Sequence, residues 1–556
     1  MSVWLSIVLL TAPQALATVP DQFGMGADNI GLAGASTAVD MGPSAAYYNP
    51  AGISGARHVM LQAHYVLGQA NLQGWEGIVY DSNADGKLQD ADGYPDYGDV
   101  GADYRVRDPE DPDDFYVNGM QVGLVFPIWR WLAIGLSAYL PHGSLLRLEV
   151  EDPYIPYYVM YRNRNNRFTA NPALSIQPIH GVHLGAGAQV MADISARVRL
   201  TDNTTIQAFS ASDTSDASVS VTSNAHVDEL VANVVPRTGY NWGALIELGA
   251  FVPQDDPKYD WLNDIAVGVA WRGAWFASTD ADILVAANGT ATFDDETLLD
   301  SPLLAEPVEA TLSDLVSFYN PPQLSIGLKA GYRSFSLSGD ATRVGWSHFT
   351  EMVVPYTVLE VNSLAGTSVT VQSGDEYPDP GFRDTWNLRG GIEYTTPKIR
   401  LPDLMKNARV HVRGGYAWIP TPVPDQTGLT NYMDSDRSVY AGGLGFEVDR
   451  IRGFSRGPLR LDVGAQYHAL ETRTVEKDAS LLSDTDGDGL INYPRGWALP
   501  ADGQTSTITS AGNLWVVAAG ITLQFGDEVP LPGKINKPPR PARPDHGARV
   551  PVETTR

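Results

Sequence analysis

The stretch YDSNADGKLQDADGYPD, residues 80–96, sets oxygen-bearing side chains at the spacing of a calcium loop. Asp81, Asn83 and Asp85 take positions 1, 3 and 5, Gly86 supplies the sharp turn, and Lys87 offers its carbonyl at position 7. Asp92 stands at position 12, where a bidentate glutamate would bind more tightly. A second stretch, DTDGDGLIN, matches the first half of the same pattern with Asp484, Asp486 and Asp488, but Arg495 occupies position 12. Calcium in either loop would be structural, stiffening it or bridging it to a neighbouring anionic group. The competing reading is a solvated acidic loop. No cofactor is required by any other feature.

Catalytic chemistry finds little footing. The chain has no cysteine, which rules out a thiol nucleophile, a Cys-ligated zinc and a disulfide framework. The 10 histidines are scattered, and no Ser/His/Asp arrangement emerges by spacing. His183 and His468 read as hydrogen-bonded polar residues rather than bases, so no enzyme is expected. The net charge of -27 argues against a nucleic-acid partner, which needs a basic face.

The elements that carry these residues repeat with period two. In VHLGAGAQVMADISARVRL every even residue from Val182 to Leu200 is apolar or alanine, opposite a polar and ionic odd set. LDVGAQYHAL and VYAGGLGFEV alternate likewise. Strands of ten residues or more are joined by alternately short and long connections. This is the pattern of an all-β, transmembrane antiparallel β-barrel with its apolar face toward lipid. About fourteen strands fit between residues 58 and 525. Long loops are expected at 73–114, 201–235, 280–319, 353–382 and 477–510. Within 280–319 an extra hairpin and a short helix, EATLSDLVSFY, are both assigned to one loop, which keeps the strand number even. Trp129, Trp131, Trp261, Trp418 and Trp515 fall near strand ends, as in an interfacial aromatic girdle. On the inward parity, Arg197, Arg199 and Arg413 face either a substrate carboxylate or lumenal acids such as Asp193, Asp462 and Glu447.

Around the barrel, residues 1–17 form an apolar run ending Ala15-Leu16-Ala17, read as a signal peptide although no positive charge precedes it. The mature chain is expected to start near Thr18. Residues 526–556 are rich in proline and arginine and read as an extended periplasmic tail. Residues 18–57, rich in glycine, alanine and serine, cannot build a core and read as a plug for the lumen.

The Gly-rich lead followed by Tyr48-Asn49-Pro50-Ala51-Gly52 resembles the outer-membrane long-chain fatty acid and aromatic-hydrocarbon transporter family, the FadL/TodX type. The resemblance covers this motif, the strand count and the overall length. It implies a fourteen-stranded barrel in a Gram-negative outer membrane with an N-terminal lumenal hatch carrying Asn49, Pro50, Ala51 and Gly52. It also implies passive transport of a hydrophobic small molecule, leaving sideways through a kink in the third strand. Pro141, His142 and Gly143 interrupt that strand and would form the lateral gate; the alternative is that the strand ends at Leu140. Expected partners are the hydrophobic substrate, outer-membrane lipid and lipopolysaccharide, and the barrel assembly machinery, with the protein a monomer. Relatives with the same motif serve as secretion accessories, so a non-transporting secretion or surface-binding role is the alternative function.

Overall fold

The computed structural model describes residues 18–75, 116–143, 156–161, 167–209, 218–252, 261–293, 296–302, 308–352, 357–362, 368–373, 379–400, 405–451, 457–481 and 507–525. Fourteen strands form the wall. They are β1 (Val59–Leu72), β2 (Tyr116–Trp129), β3 (Leu132–Pro141), β4 (Thr169–Ile179), β5 (Val182–Phe209), β6 (Ser218–Glu247) and β7 (Ile265–Arg272). The second half is β8 (Gln323–Tyr332), β9 (Phe335–Val344), β10 (Thr385–Thr395), β11 (Met405–Ile419), β12 (Arg437–Ile451), β13 (Leu459–Glu476) and β14 (Thr507–Phe525). Each strand pairs antiparallel with the next in the chain, from β1–β2 through β13–β14. The ring closes where β1 pairs with β14, from Val59↔Phe525 to Leu72↔Gly512. Closure leaves no unpaired sheet edge, as a hydrocarbon surrounding demands.

The faces are set by alternation. On β13, Leu461, Val463 and Tyr467 are 46%, 48% and 48% exposed, while Asp462 and His468 between and beyond them are 1% and 0%. On β1, Leu61, Tyr65 and Leu67 face out and Gln62 and His64 are buried. The apolar face is therefore outside and the polar face inside, the reverse of a soluble sandwich. The five tryptophans read as a girdle are all exposed, and Trp129 stacks on Trp131 across the β2–β3 turn at 5.4 Å.

Three expectations are corrected. Residues 201–235 are not one long loop: β5 and β6 run to 28 and 30 residues and pair from Val182↔Ile246 to Phe209↔Ser218. The segment EATLSDLVSFY is not a helix but lies in a strand, Val308–Asn320, antiparallel to Trp275–Phe293. That second strand also pairs with Glu296–Pro302 and, in parallel, with β5. A partner strand supplies hydrogen bonds that outweigh a short segment's helical propensity. These strands extend the sheet beyond the wall, while β7 and β8 still pair directly, so the even number survives. Residues 353–382 likewise contain a hairpin, Thr357–Asn362 with Ser368–Ser373.

Candidate functional site: the barrel interior

Residues 18–57 fold as short turns of helix, α1 (Val19–Phe23), α2 (Ala27–Ile30), α3 (Ala45–Tyr48) and a 3-10 turn, Pro50–Gly55. Thr18 and Asp21 form a capping box on α1. Asn49 is extended, φ -155° and ψ 101°, as the following proline requires. Its amide then works in three directions. Oδ1 accepts from Ala51 N at 3.1 Å, and Nδ2 donates to Thr37 O at 2.9 Å and to Ala244 O of β6 at 3.1 Å. The motif thus ties the segment to itself and to the wall with one side chain.

The polar faces of the strands meet this segment. His64 Nδ1 accepts from Ala27 N at 2.7 Å, Gln121 bridges Gly24 O and Gly26 N, and Gln466 donates to Ile30 O at 2.9 Å. Asp340 Oδ2 accepts from Ser36 N, Thr37 N and Thr37 Oγ1 at 2.8–2.9 Å. Ser54 Oγ lies 2.9 Å from His183 Nδ1, so His183 is a bound polar residue as the sequence suggested. Where no side chain reaches in, the wall carries glycine. A Cβ on Gly185 would overlap the Pro50–Ala51 peptide, and one on Gly464 would overlap the Ala27 carbonyl. Gly123, Gly243 and Gly415 sit equally close to Pro43, Asn49 and Leu32. The small residues that looked like a property of the segment belong equally to the wall, and the odd-numbered glycines of VHLGAGAQV and VYAGGLGFEV carried that signal.

A chain of charges joins the two parts. Arg413, almost fully buried, pairs with Glu393 at 2.5 Å and Asp462 at 2.8 Å. Arg460 joins Asp462 at 2.6 Å to Asp28 of α2. His411 lies between Glu393 and Glu447, which also pairs with Arg409 at 3.3 Å. Of the acids named from the sequence, Arg413 takes Asp462, and Glu447 takes Arg409. Within the segment, burial opposes the Asp28 charge, but Arg460 and Arg413 outweigh it and hold this carboxyl below its ordinary value. At Asp40 burial, then the nearby Asp28 charge, outweighs the Gly42 and Asn29 hydrogen bonds and the weaker pull of Arg460, and pushes it up to about 6.

Above the segment, toward the long loops, a cavity of about 50 Å³ is lined by Phe23, Tyr48, Asp340, Arg389, Gln466 and His468 among others. It is polar and large enough for a few waters. Over it lies an aromatic cluster drawn from separate loops: Tyr157 and Tyr161, Phe349, Phe382 and Tyr432. Phe349 stacks on Phe382 at 4.4 Å, and Tyr432 meets both edge-on.

At the third strand, β3 ends at Pro141, and Gly143 has φ +92° with open space around it. His142 N still donates to Asn118 O of β2 at 2.8 Å. Asp81, Asn83, Asp85, Lys87, Asp92, Asp484, Asp486 and Asp488 lie outside the described residues, as do residues 1–17 and 526–556. Arg197 and Arg199 fall on β5, at positions whose side chains are outside the described ones. Among the described residues no group of His, Asp and Glu could hold a metal.

Residues 322–525 match the family described as outer membrane protein transport protein (OMPP1/FadL/TodX). A FadL homologue of Pseudomonas aeruginosa is 18% identical, with 90% of this chain and 98% of that one covered and a TM-score of 0.49. The toluene transporter TodX of P. putida is 12% identical over 91% of this chain and 100% of its own, TM-score 0.42. The toluene transporter TbuX of Ralstonia pickettii is also 12% identical over 91% and 100%, TM-score 0.40. No curated protein matches. Residues 322–525, which hold β8 to β14, are thus similar to the outer membrane transport proteins of the OMPP1/FadL/TodX type.

Proposed function

We propose that the protein carries hydrophobic small molecules, long-chain fatty acids or hydrocarbons, passively across the outer membrane. In this reading residues 18–57 are a hatch that stoppers the lumen, and the cargo leaves sideways beside β3. The observation that carries it is the uneven pairing of that strand. β3 pairs with β2 as far as Gly119↔Pro141, but with β4 only as far as Tyr139↔Thr169. Among the described residues no pairing on the β4 side continues past Tyr139, where Pro141, His142 and Gly143 follow in the chain. Such a seam suits an apolar cargo, because each buried CH₂ is worth about 0.8 kcal/mol and lipid beside the wall offers the same environment. Lipid and lipopolysaccharide contact, assembly by the barrel machinery, a monomeric state and calcium in the two acidic loops belong to the same proposal.

The test is uptake of a labelled fatty acid and of an aromatic hydrocarbon into proteoliposomes. Pro141→Thr with Gly143→Ala is expected to mend the seam and slow uptake several-fold; unchanged uptake would reject the lateral route.

One observation favours a second reading, a barrel of the same family that does not transport. Residues 18–57 bond to the polar faces of several wall strands, and an aromatic cluster drawn from separate loops lies beyond a cavity of only about 50 Å³. A secretion accessory or surface-binding protein would need no more. Absence of uptake by the unaltered protein in the same assay would decide for it.

A further inference from the structure

Two loops meet over the outer mouth from opposite sides. Tyr432–Met433, between β11 and β12, pairs in parallel with Tyr157–Tyr158, between β3 and β4. In a ring of fourteen these strand pairs stand nearly half the circumference apart, so the connection must cross the lumen. It also reaches inward: Gln22 of α1 donates to Met160 O. Tyr158 OH accepts from Ala511 N and donates to Ala511 O, fixing this side to β14.

The crossing loop, residues 420–436, is braced at both ends. Thr421 bonds Asp434 and Asp436, and Arg473 of β13 reaches Asp425, Val423 O and Asp434 O. Its middle is tied by Gln426 Nε2, which donates to Pro380 O at 3.0 Å, by Asp478 N, which donates to Thr427 O at 2.9 Å, and above all by one ammonium. Lys477, just past β13, is buried and donates to Gln426 O, Gly428 O and Thr430 O at 2.7, 2.8 and 2.9 Å. Three carbonyls converging on one ammonium use all its donors. Among the described residues no carboxylate lies within ion-pair distance of this nitrogen. The lysine therefore serves the loop backbone and nothing else, and a residue without those donors leaves three carbonyls buried and unpaired.

We propose that loop 420–436 is a latch over the outer mouth, that the Lys477 ammonium locks it, and that withdrawing this lysine opens the cavity beneath to molecules from outside. The inference is independent of the cargo and of the lateral route.

The chain has no native cysteine, so one can be introduced cleanly. Ser325 lines the cavity under the latch. In Ser325→Cys, labelling by a charged, membrane-impermeant thiosulfonate added outside whole cells is expected to be slow. Adding Lys477→Met should speed it several-fold, with the protein still running as a folded, heat-modifiable band. Should that variant fail to fold, Lys477→Gln, which keeps two donors, is measured in its place with the same expectation. Fast labelling with Lys477 intact, or a rate unmoved by its loss, would overturn the proposal.

Discussion

At the scale of single residues, the interior is fitted by subtraction as much as by contact. Gly464 on β13 and Gly442 on β12 make the point. Both stand in a wall strand, but Gly464 lies against the Ala27 carbonyl inside, whereas a Cβ on Gly442 would meet only Arg413 O at 4.0 Å. Gly464→Val is therefore expected to destabilise the fold by about 1–3 kcal/mol, the usual cost of overpacking. Gly442→Val should be near neutral, since valine suits a strand facing lipid. Urea unfolding in lipid vesicles measures both, and equal effects would contradict the fit. The charged residues obey the same economy. Arg413 is buried between Glu393 and Asp462 with both ion pairs formed, so its charge is spent on the wall. Basic residues on the inward parity pointed first to lumenal acids and second to a substrate carboxylate, because alternation fixes a side chain's face and not its partner.

At the scale of elements, the leading segment is the part most sensitive to conditions. Asp40 accepts from Asn29 Nδ2 at 2.8 Å and from Gly42 N at 2.6 Å, yet burial holds its carboxyl at about 6 against an ordinary 3.8. A raised folded-state value means stability present at low pH and lost as pH rises through about 6. Asp28 runs the other way, its share present above the ordinary carboxylate range and lost on acidification. Amide protection factors across residues 18–57 are therefore expected to fall between pH 5 and pH 7.5, and Asp40→Asn should flatten that fall. A slope unchanged by the substitution would remove Asp40 as its source. The strands themselves were legible: a two-residue period needs only side-chain type, and alternation places strands at 58–72, 115–128, 436–450 and 458–476, each within a residue of β1, β2, β12 and β13 at both ends. Less legible was what lies beyond the membrane. The long β5–β6 hairpin carries polar residues on both faces past Leu200, so its period fades although its backbone pairing continues to Phe209↔Ser218. The strand Val308–Asn320 reads locally as helix because its pairing partner, Trp275–Phe293, is supplied from a distance. The latch was invisible for the same reason. Nothing in the neighbourhood of Lys477 in sequence announces carbonyls some fifty residues away.

At the scale of the whole molecule, everything rests on which face meets lipid, and the depth of each residue makes that testable. Tyr416, Tyr440 and Tyr467 stand side by side on the outer surface of β11, β12 and β13, Tyr416 and Tyr440 being 5.5 Å apart. They mark the band nearer the long loops, while Leu459 and Phe525 lie at the end of the short turns. Val463, exposed between Leu444 on β12 and Ala519 on β14, falls between these two limits and so near the bilayer midplane. Arginine there must leave its charge in hydrocarbon, at about 2–4 kcal/mol. Thr474 lies past the tyrosine band on the same strand, beside Thr509, where the cost falls to roughly 0–1 kcal/mol. Val463→Arg is therefore expected to lower folding stability in phosphocholine vesicles by the larger amount and Thr474→Arg by little or none. The difference should shrink in a short-chain detergent, which lets the guanidinium reach water. An ordinary buried core would give the same difference in both media, because its cost would come from packing and would not depend on what surrounds the barrel.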